Sequence, residues 1–300
     1  MTSRQPDEQI DHPANTRRAF LRRAAMLGAT AIGVPSLLAA CEAGQRGVAS
    51  RPRRPSTPPT TPLTSPPVLV ATSPAVDPRL ATTLPPYFET GPRTRPLVAI
   101  TLDDVFETSG AQNLRALLDV LYANDLPMTV FPTGSALKQH YDAGLSWIWQ
   151  AAVATNLVEI GNHTYTHNTG INPDLTKLSD AQIADELNRT QAMLDQVLGF
   201  HYPMRLMRPP GGFGRGNARV IAAVNKLGYS LVGWDIGGDS ATPGADFESA
   251  IINRKATTNG SIVLTHFTTL RLQDYQPLFD DMRLVRHLQP TTVTGLFQTN

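Results

Sequence analysis

Two short segments of the sequence combine residue types that bind metal ions and move protons. Thr-Leu-Asp-Asp at residues 101–104 places two carboxylates side by side, and Gly-Asn-His-Thr-Tyr-Thr-His at residues 161–167 places two imidazoles four residues apart. One carboxylate and two imidazoles leave an open coordination position on a divalent ion, as catalytic zinc sites do. The second carboxylate is then free to act as a base. The pattern predicts metal-assisted hydrolysis.

The elements that must position these groups alternate in type. Apolar runs typical of strands occur at about 97–102, 128–131, 158–160, 204–207, 230–234, 262–265 and 292–296. Helical patterns lie between them, at about 110–122, 145–154, 179–198, 218–227, 247–256 and 278–287. The alternation predicts an α/β fold, a distorted (β/α) barrel with about seven parallel strands. Because each polar segment follows a strand, we expect the polar side chains to meet on one rim.

The first forty residues are predicted to be an export signal. Residues 16–23 resemble a twin-arginine signal, and the weakly apolar stretch at 24–38 is shorter than the ~20 residues that a spanning helix needs. The stretch ends in Leu-Ala-Ala-Cys, which resembles a bacterial lipoprotein signal. Cys41 is the only cysteine, and lipidation explains an exported thiol without a disulfide partner. An ordinary secretory signal with an incidental cysteine is the alternative.

Residues 41–95 are rich in Pro, Thr and Ser and are predicted to form a disordered tether, because repeated prolines disfavour helices and central strands. Residues 96–300 form the predicted globular domain. The chain has 12 basic and 6 acidic residues before residue 96, and 14 and 19 from there on. Since a net-acidic domain is a poor nucleic-acid binder, we expect no nucleic-acid partner.

The ordered polar segments over residues 96–300 resemble the motifs of the polysaccharide deacetylase family, the NodB-homology carbohydrate esterases. The resemblance implies that Asp103 is the general base and that Asp104, His163 and His167 hold a divalent metal ion. Zinc is the expected ion, with cobalt or another divalent ion as alternatives. The substrate implied is an acetylated glycan.

Two later motifs complete the implied site. In Arg-Pro-Pro-Gly-Gly at 208–212, Arg208 would orient the base and the Gly211 N–H would stabilise the tetrahedral oxygen. In Gly-Ser-Ile-Val-Leu-Thr-His at 260–266, His266 would be the general acid, and Leu264 would line the substrate pocket. A carboxylate beside His266 would keep it cationic, and Asp239 is the better candidate for it.

Three departures from the family pattern affect the pocket. Val105 and Phe106 stand where Gly-Pro is usual, and Gly211 stands where Tyr is frequent. The fourth motif is shortened around Trp234 and Asp235, so Asp235 stays open as the partner of His266. Trp234 is assigned to the substrate pocket, with a place in the core as the alternative.

Other function classes fit the sequence less well. Two His and one carboxylate also describe non-haem iron oxygenases, but those are usually built on antiparallel double sheets. A non-catalytic, wall-binding lipoprotein is disfavoured by the intact base, acid and ligand set. We expect a monomeric deacetylase, lipid-anchored through Cys41 on the outer face of the bacterial cell membrane. Peptidoglycan is the first substrate candidate, with chitin-type oligomers and O-acetylated xylan as alternatives.

Overall fold

Strand β2 (Leu97–Asp104) is the centre of the fold. The computed structural model describes residues 82–167, 174–237, 257–267 and 272–299. Six of the eight residues of β2 are buried, and the strand pairs in parallel with β3 (Met128–Pro132), β8 (Ser261–His266) and β9 (Gln289–Thr291). A near-continuous apolar run is what such a strand requires, because neighbouring elements cover both of its faces.

The remaining strands complete a distorted parallel barrel. They are β1 (Tyr87–Phe88), β4 (Val158–Ile160), β5 (Leu206–Met207), β6 (Ser230–Val232) and β7 (Ile236–Gly237). One sheet has the order β4-β3-β2-β8-β7 and the other has the order β1-β6-β5. Single bridges, Asn162 to Met207 and Thr90 to Ser261, link the two sheets. The parallel pairing confirms the predicted α/β barrel class.

Helices pack around the barrel. They are α1 (Glu107–Asn124), α2 (Gly134–Asp142), α3 (Ser146–Ala154), α4 (Asp180–Leu198), α5 (Ala218–Asn225) and α6 (Tyr275–Asp280). Helix α4 begins and ends as predicted: Ser179 and Gln182 form a capping box, and Gly199 ends the helix at φ +79°. In the part of the chain that the structure describes, no helix has the length and apolar character needed to cross a bilayer.

Two apolar clusters form the core. The larger fills the space between strands and helices, and α1 contributes four leucines to it. The smaller fills the barrel interior and contains Phe88, Ala99, Phe131, Leu206, Val232, Ile262, Val293 and Leu296. Full burial of one such large aliphatic or aromatic side chain contributes roughly 1.5–3 kcal/mol. The interior cluster therefore fixes the barrel beneath the rim.

The strand predicted at 292–296 is wrong. Residues Thr294–Phe297 form a 3-10 turn instead, and the preceding segment Gln289–Thr291 is the strand. Buried Glu159 fixes this turn by accepting hydrogen bonds from the N–H of Thr294, at 3.0 Å, and from its hydroxyl. Val293 and Leu296 lie three residues apart, so the turn directs both into the barrel interior. The helix predicted at 247–256 lies outside the described residues.

The described fold begins before residue 96. Strand β1 lies within the segment predicted as tether and pairs in parallel with β6. The N–H of Leu231 donates to Pro86 O at 3.0 Å, and the N–H of Gly233 donates to Phe88 O at 2.8 Å. The proline-rich composition hid a two-residue strand that depends on this pairing. Cys41 and the predicted export signal lie outside the described residues.

Candidate active site

The two aspartates end strand β2 at the predicted rim. Asp103 is buried, whereas the side chain of Asp104 is 16% exposed. Asp104 has φ +77° and the next residue, Val105, has φ +50°. A left-handed conformation is uncommon for an aspartate and a genuine outlier for a β-branched valine. Local strain of this kind is frequent at functional sites, where the surrounding structure holds it in place.

Arg208 fixes the position of Asp103. Its guanidinium is fully buried and donates through Nη1 to Asp103 Oδ1 at 2.8 Å and to the Thr101 hydroxyl at 2.6 Å. Its Nη2 donates to the carbonyl of Gly233 at 3.1 Å. The guanidinium carbon also lies 4.3 Å from the centre of the Phe131 ring. The buried pair holds one carboxylate oxygen and leaves Asp103 Oδ2 available for chemistry.

The two predicted histidines converge on the other aspartate. Asp104 Oδ1 lies 3.3 Å from His163 Nε2 and 3.1 Å from His167 Nε2. His163 Nε2 is also 3.8 Å from Asp103 Oδ2. His163 Nδ1 lies 2.8 Å from the carbonyl of Arg208. Because a carbonyl only accepts, Nδ1 carries a proton, and Nε2 faces Asp104, where the neutral ring would offer its lone pair to a cation.

A divalent cation fits this arrangement. One ligand atom from each of Asp104, His163 and His167 lies within 4.8 Å of the other two. The buried Oδ1 of Asp104 has no hydrogen-bond partner among the described residues, although both imidazoles are close. One carboxylate oxygen and two imidazole nitrogens that converge in this way are suitable ligands for a divalent cation.

The electrostatics of the site favour positive charge. Burial alone would raise the pKa of Asp104, but the adjacent His163 and His167 rings outweigh it and hold that pKa well below its usual range. Burial lowers the pKa of His163, but Asp103 and Asp104 outweigh the burial and raise it. The Asp104 carboxylate therefore stays charged and attracts a cation to this point.

The loop that carries the histidines is held by Glu186, which the sequence reasoning missed. The Glu186 carboxylate accepts from the N–H groups of Tyr165 at 2.9 Å and Thr166 at 2.8 Å, and from the Thr166 hydroxyl at 3.1 Å. The signal was in helix α4, where Glu186 stands three residues after buried Ile183 and beside buried Leu187. A carboxylate on the apolar face of a helix needs such partners.

His266 lies at the same rim, at the end of β8. Its Nε2 is 4.0 Å from Asp104 Oδ2, and its side chain is 27% exposed. Asp235 is not its partner: it accepts from the N–H of Ile262 at 2.7 Å and pairs with Arg93 at 2.9 Å. Ile262 precedes His266 by four residues, a separation of ~13 Å along a strand. Asp239, the preferred candidate, lies outside the described residues.

The residues assigned to the substrate pocket lie in the turn after Arg208, just after β6 and within β8. Neither backbone hydrogen bond of the turn at 210–212 uses the Gly211 N–H, and Gly211 has φ +59°, which glycine adopts without strain. Trp234 is half-buried, with its ring centre 5.7 Å from the Arg208 guanidinium carbon. Leu264 is buried beside Thr101 in the sheet. Trp234 also packs on the interior cluster. It therefore contacts both the rim and the core, the two locations that the sequence left open for it.

A cleft of about 230 Å³ opens beside the two aspartates. Its walls come from the aspartates, His266 and the start of α1, and include Phe106, Glu107, Ser109, Asn113 and Phe267. The Phe106 ring meets the His167 ring edge to face at 5.3 Å between centres. Val105 and Phe106, which replace the usual Gly-Pro, thus line this cleft, and Phe106 also packs against the imidazole of His167.

The fold is a distorted parallel barrel, and its rim carries a buried Arg–Asp pair next to an Asp-His-His cluster. These features define a class of α/β proteins with a site at the rim that suits one divalent ion. Comparison with known protein families gives a match to one segment of the chain. Residues 90–232 match the model of the polysaccharide deacetylase family. These residues therefore form a domain of that family.

The curated relatives match over about half of this chain. A chitooligosaccharide deacetylase of Bradyrhizobium sp. (strain ANU 289) is 32% identical over 152 residues, which cover 50% of this chain and 62% of that protein. A bifunctional xylanase/xylan deacetylase of Cellvibrio japonicus is 31% identical over 156 residues, 51% of this chain and 21% of that protein. In both cases the match spans less than two thirds of the relative.

Solved structures share the fold. A CE4 family pseudoenzyme from Bacillus anthracis superposes with a TM-score of 0.60 at 21% identity, over 72% of this chain and 70% of that one. A family 4 carbohydrate esterase from Streptomyces lividans, in complex with acetate, gives a TM-score of 0.53 at 25% identity, over 65% of this chain and 91% of that one. These likenesses support the barrel architecture.

Proposed function

We propose that the protein is a metal-dependent deacetylase that removes acetyl groups from N-acetylated glycans outside the cytoplasm. The observation that carries the proposal is the convergence of Asp104 Oδ1 with two imidazole nitrogens, at 3.3 Å and 3.1 Å, in a cluster whose ligand atoms all lie within 4.8 Å of one another. Asp103, fixed by Arg208, lies beside this cluster. Family membership agrees with this chemistry.

Asp104, His163 and His167 would hold the ion, and zinc suits two nitrogen ligands and one oxygen ligand. Such an ion supplies Lewis acidity to an acetyl carbonyl and lowers the pKa of water. Within the described ranges, no fourth side-chain ligand joins the cluster. One coordination position of a bound ion would therefore remain for water or substrate. The structure thus favours a catalytic site over a closed structural one.

Asp103 serves as the general base. Its Oδ1 is held by Arg208, while Oδ2 lies on the side of His163, 3.8 Å from Nε2. A base on a buried ion pair keeps its geometry as it accepts a proton from attacking water. Arg208 is a positioning residue because it acts through Asp103.

His266 serves as the general acid for the leaving nitrogen. Its Nε2 lies 4.0 Å from Asp104 Oδ2, beside the cluster that would hold the ion. An amide nitrogen leaves readily only when it is protonated, and an imidazolium donates that proton near neutral pH. The Gly211 N–H stabilises the oxygen that becomes negative when the carbonyl is attacked.

Peptidoglycan and chitin-like N-acetylglucosamine chains are the first candidate substrates. The chitooligosaccharide deacetylase of Bradyrhizobium supports an N-acetylated chain. The xylan deacetylase of Cellvibrio supports a second candidate, O-acetylated xylan. The twin-arginine-like segment and Cys41 support export and lipid anchoring beside the cell wall, where peptidoglycan is the accessible acetylated glycan.

Acetate release tests the proposal. The purified protein is assayed on N-acetylglucosamine oligomers, peptidoglycan and acetylated xylan, alongside Asp103→Asn and a control, Asp119→Asn. Asp119 is an exposed carboxylate of α1 that pairs with Arg115. We expect at least a hundredfold loss of kcat for Asp103→Asn and wild-type rates for Asp119→Asn, since a positioned base contributes about 10²–10⁴.

The same assay separates the alternatives. Release from xylan alone would make the protein an O-acetyl esterase. No release from any of the glycans by the folded, zinc-loaded wild type, together with glycan binding that Asp103→Asn preserves, would show a non-catalytic wall-binding protein and refute the proposal.

A further inference from the structure

A group of planar and charged side chains lies on the rim beside β6, and Trp234 is the only one of them with a role assigned above. Strand β1 ends one residue before Glu89, and β6 ends one residue before Gly233. Because these strands are parallel, with Phe88 opposite Val232, Glu89 and Gly233 emerge at the same end of the barrel. The family match begins at residue 90, so β1 and Glu89 lie just outside the matched region.

The group is connected by direct contacts. Tyr87 donates its hydroxyl to Glu89 Oε1 at 2.5 Å, and Arg215 Nε lies 3.5 Å from the same oxygen. The Arg215 guanidinium carbon lies 4.5 Å from the centre of the Trp234 ring. A side chain on Gly233 would meet Glu89 Cγ at 2.7 Å, so the glycine admits the carboxylate here.

This group adjoins the proposed catalytic residues. The Trp234 ring lies within 5.7 Å of the Arg208 guanidinium, which in turn donates to Asp103. A Cβ on Gly212 would lie 2.7 Å from the edge of the Trp234 ring. The turn that carries Gly211 and Gly212 therefore packs against Trp234.

Phe213 extends this surface. The residue is 40% exposed, and its ring would lie 2.8 Å from a Cβ on Gly211. The ring thus rests against the Gly211 backbone, next to the N–H proposed to contact the reacting carbonyl. A single exposed aromatic is ordinary on a protein surface. Here it shares a rim with an indole, a guanidinium and a carboxylate.

We propose that Phe213, Trp234, Arg215 and Glu89 form a subsite for the sugar ring next to the one that loses its acetyl group. The inference rests on the proposed deacetylase function. The apolar face of a pyranose packs on an aromatic ring, while Glu89 accepts from sugar hydroxyls and Arg215 donates to them. Side chains that are 37% and 39% exposed, as Arg215 and Glu89 are, can reach such a ligand. The subsite makes the protein select chains over single sugars.

Chain-length dependence of kcat/KM tests the subsite. The full chain is compared with Phe213→Ala and Tyr141→Ala on the dimer and hexamer of N-acetylglucosamine. Tyr141 is 41% exposed, like Phe213, but it lies at the far end of α2, about 12 Å of helix away from the rim. We expect Phe213→Ala to lower the hexamer-to-dimer ratio of kcat/KM about tenfold, through KM, and Tyr141→Ala to leave it as in wild type. An equal ratio in both variants would overturn the subsite.

Binding separates failure of the subsite from failure of the proposed activity. Hexamer affinity is measured by calorimetry for Asp103→Asn alone and combined with Phe213→Ala or Tyr141→Ala. About tenfold weaker binding with Phe213→Ala only, equal to ~1.4 kcal/mol, supports the subsite even if the wild type releases no acetate. Equal affinities would refute the subsite while leaving any observed acetate release intact.

Discussion

The buried pair between Arg208 and Asp103 makes a prediction about stability that does not depend on substrate. Replacing Arg208 with methionine keeps much of the side-chain volume but removes all three guanidinium hydrogen bonds. The variant leaves the Asp103 carboxylate, which is 3% exposed, without its counterion. Burying an unpaired charge is strongly unfavourable, so the variant should be much less stable than its lost contacts alone imply.

The magnitude follows from burial. Removing one partner of a buried ion pair costs about 3–5 kcal/mol, so we expect ~4 kcal/mol for Arg208→Met. Asp103→Asn should cost ~2 kcal/mol, because the guanidinium keeps Thr101 and Gly233 as acceptors. The double variant removes both charges and should cost ~3–4 kcal/mol. The coupling free energy is then about 2–3 kcal/mol.

Urea unfolding of the four proteins measures this coupling. The control cycle uses Arg219 and Asp180, whose atoms are 2.7 Å apart, close to the 2.8 Å of the buried pair, but whose side chains are 42% and 53% exposed. Solvent screening should reduce that coupling to at most about 0.5 kcal/mol. Additive effects in the Arg208–Asp103 cycle, or equal coupling in both cycles, would refute the assignment of Arg208 as the buried counterion of the base.

Three further predictions concern pH, the ligand loop and the metal. Burial lowers the pKa of His140, whose neutral ring accepts a hydrogen bond from Trp149 at 3.1 Å. The neutral His140 ring therefore contributes fully to stability above the unfolded pKa of about 6.5. This contribution is lost as pH falls, by up to ~1.4 kcal/mol per pH unit. The difference in unfolding free energy between wild type and His140→Gln should shrink from pH 7.5 to pH 5.5, and a constant difference would contradict this. Glu186→Gln should weaken zinc binding about tenfold, since residues that orient metal ligands typically contribute 10–100-fold to metal affinity. The control is Asp185→Asn, which changes an exposed neighbouring carboxylate and should bind zinc like wild type. Zinc at 100 times its Kd should raise the unfolding free energy of the wild type by about 2.7 kcal/mol, and an equal rise in His167→Ala would exclude that residue as a ligand.

The site residues that directly follow a strand could be predicted from the sequence. Asp103 and Asp104 end β2 and His266 ends β8, so the parallel topology alone brings them to one rim. The two imidazoles follow β4, and the structure places both against Asp104. Periodicity and placement were sufficient for these residues because a parallel barrel imposes the convergence.

Contacts made across the fold were not predictable in the same way. Asp235 was a candidate partner of His266, but the short strand β7 aligns it with the start of β8, where Ile262 and Arg93 take its carboxylate. Glu186 reaches the ligand loop from a helix about twenty residues later. No local pattern specifies which distant donor satisfies a carboxylate, since that depends on packing.

Short elements were missed or misassigned for a related reason. Helix α2 follows β3 directly and is capped by Thr133, whose hydroxyl accepts from the Ala136 N–H at 3.2 Å; its nine residues give a weak periodic signal. The threonine-rich segment before Gly295 favours a strand by propensity. Burial of Val293 and the hydrogen bond from the Thr294 N–H to Glu159 override that preference.

The most direct test of the central claim is acetate release from N-acetylglucosamine hexamer as zinc is titrated into chelator-treated protein. Rates that rise in proportion to bound zinc and reach a plateau at one ion per chain, with neither binding nor rate recovered in His163→Ala, are the predicted result. Full activity in the metal-free protein, or no acetate from folded protein carrying one zinc ion on any of the acetylated glycans, would contradict a metal-dependent deacetylase.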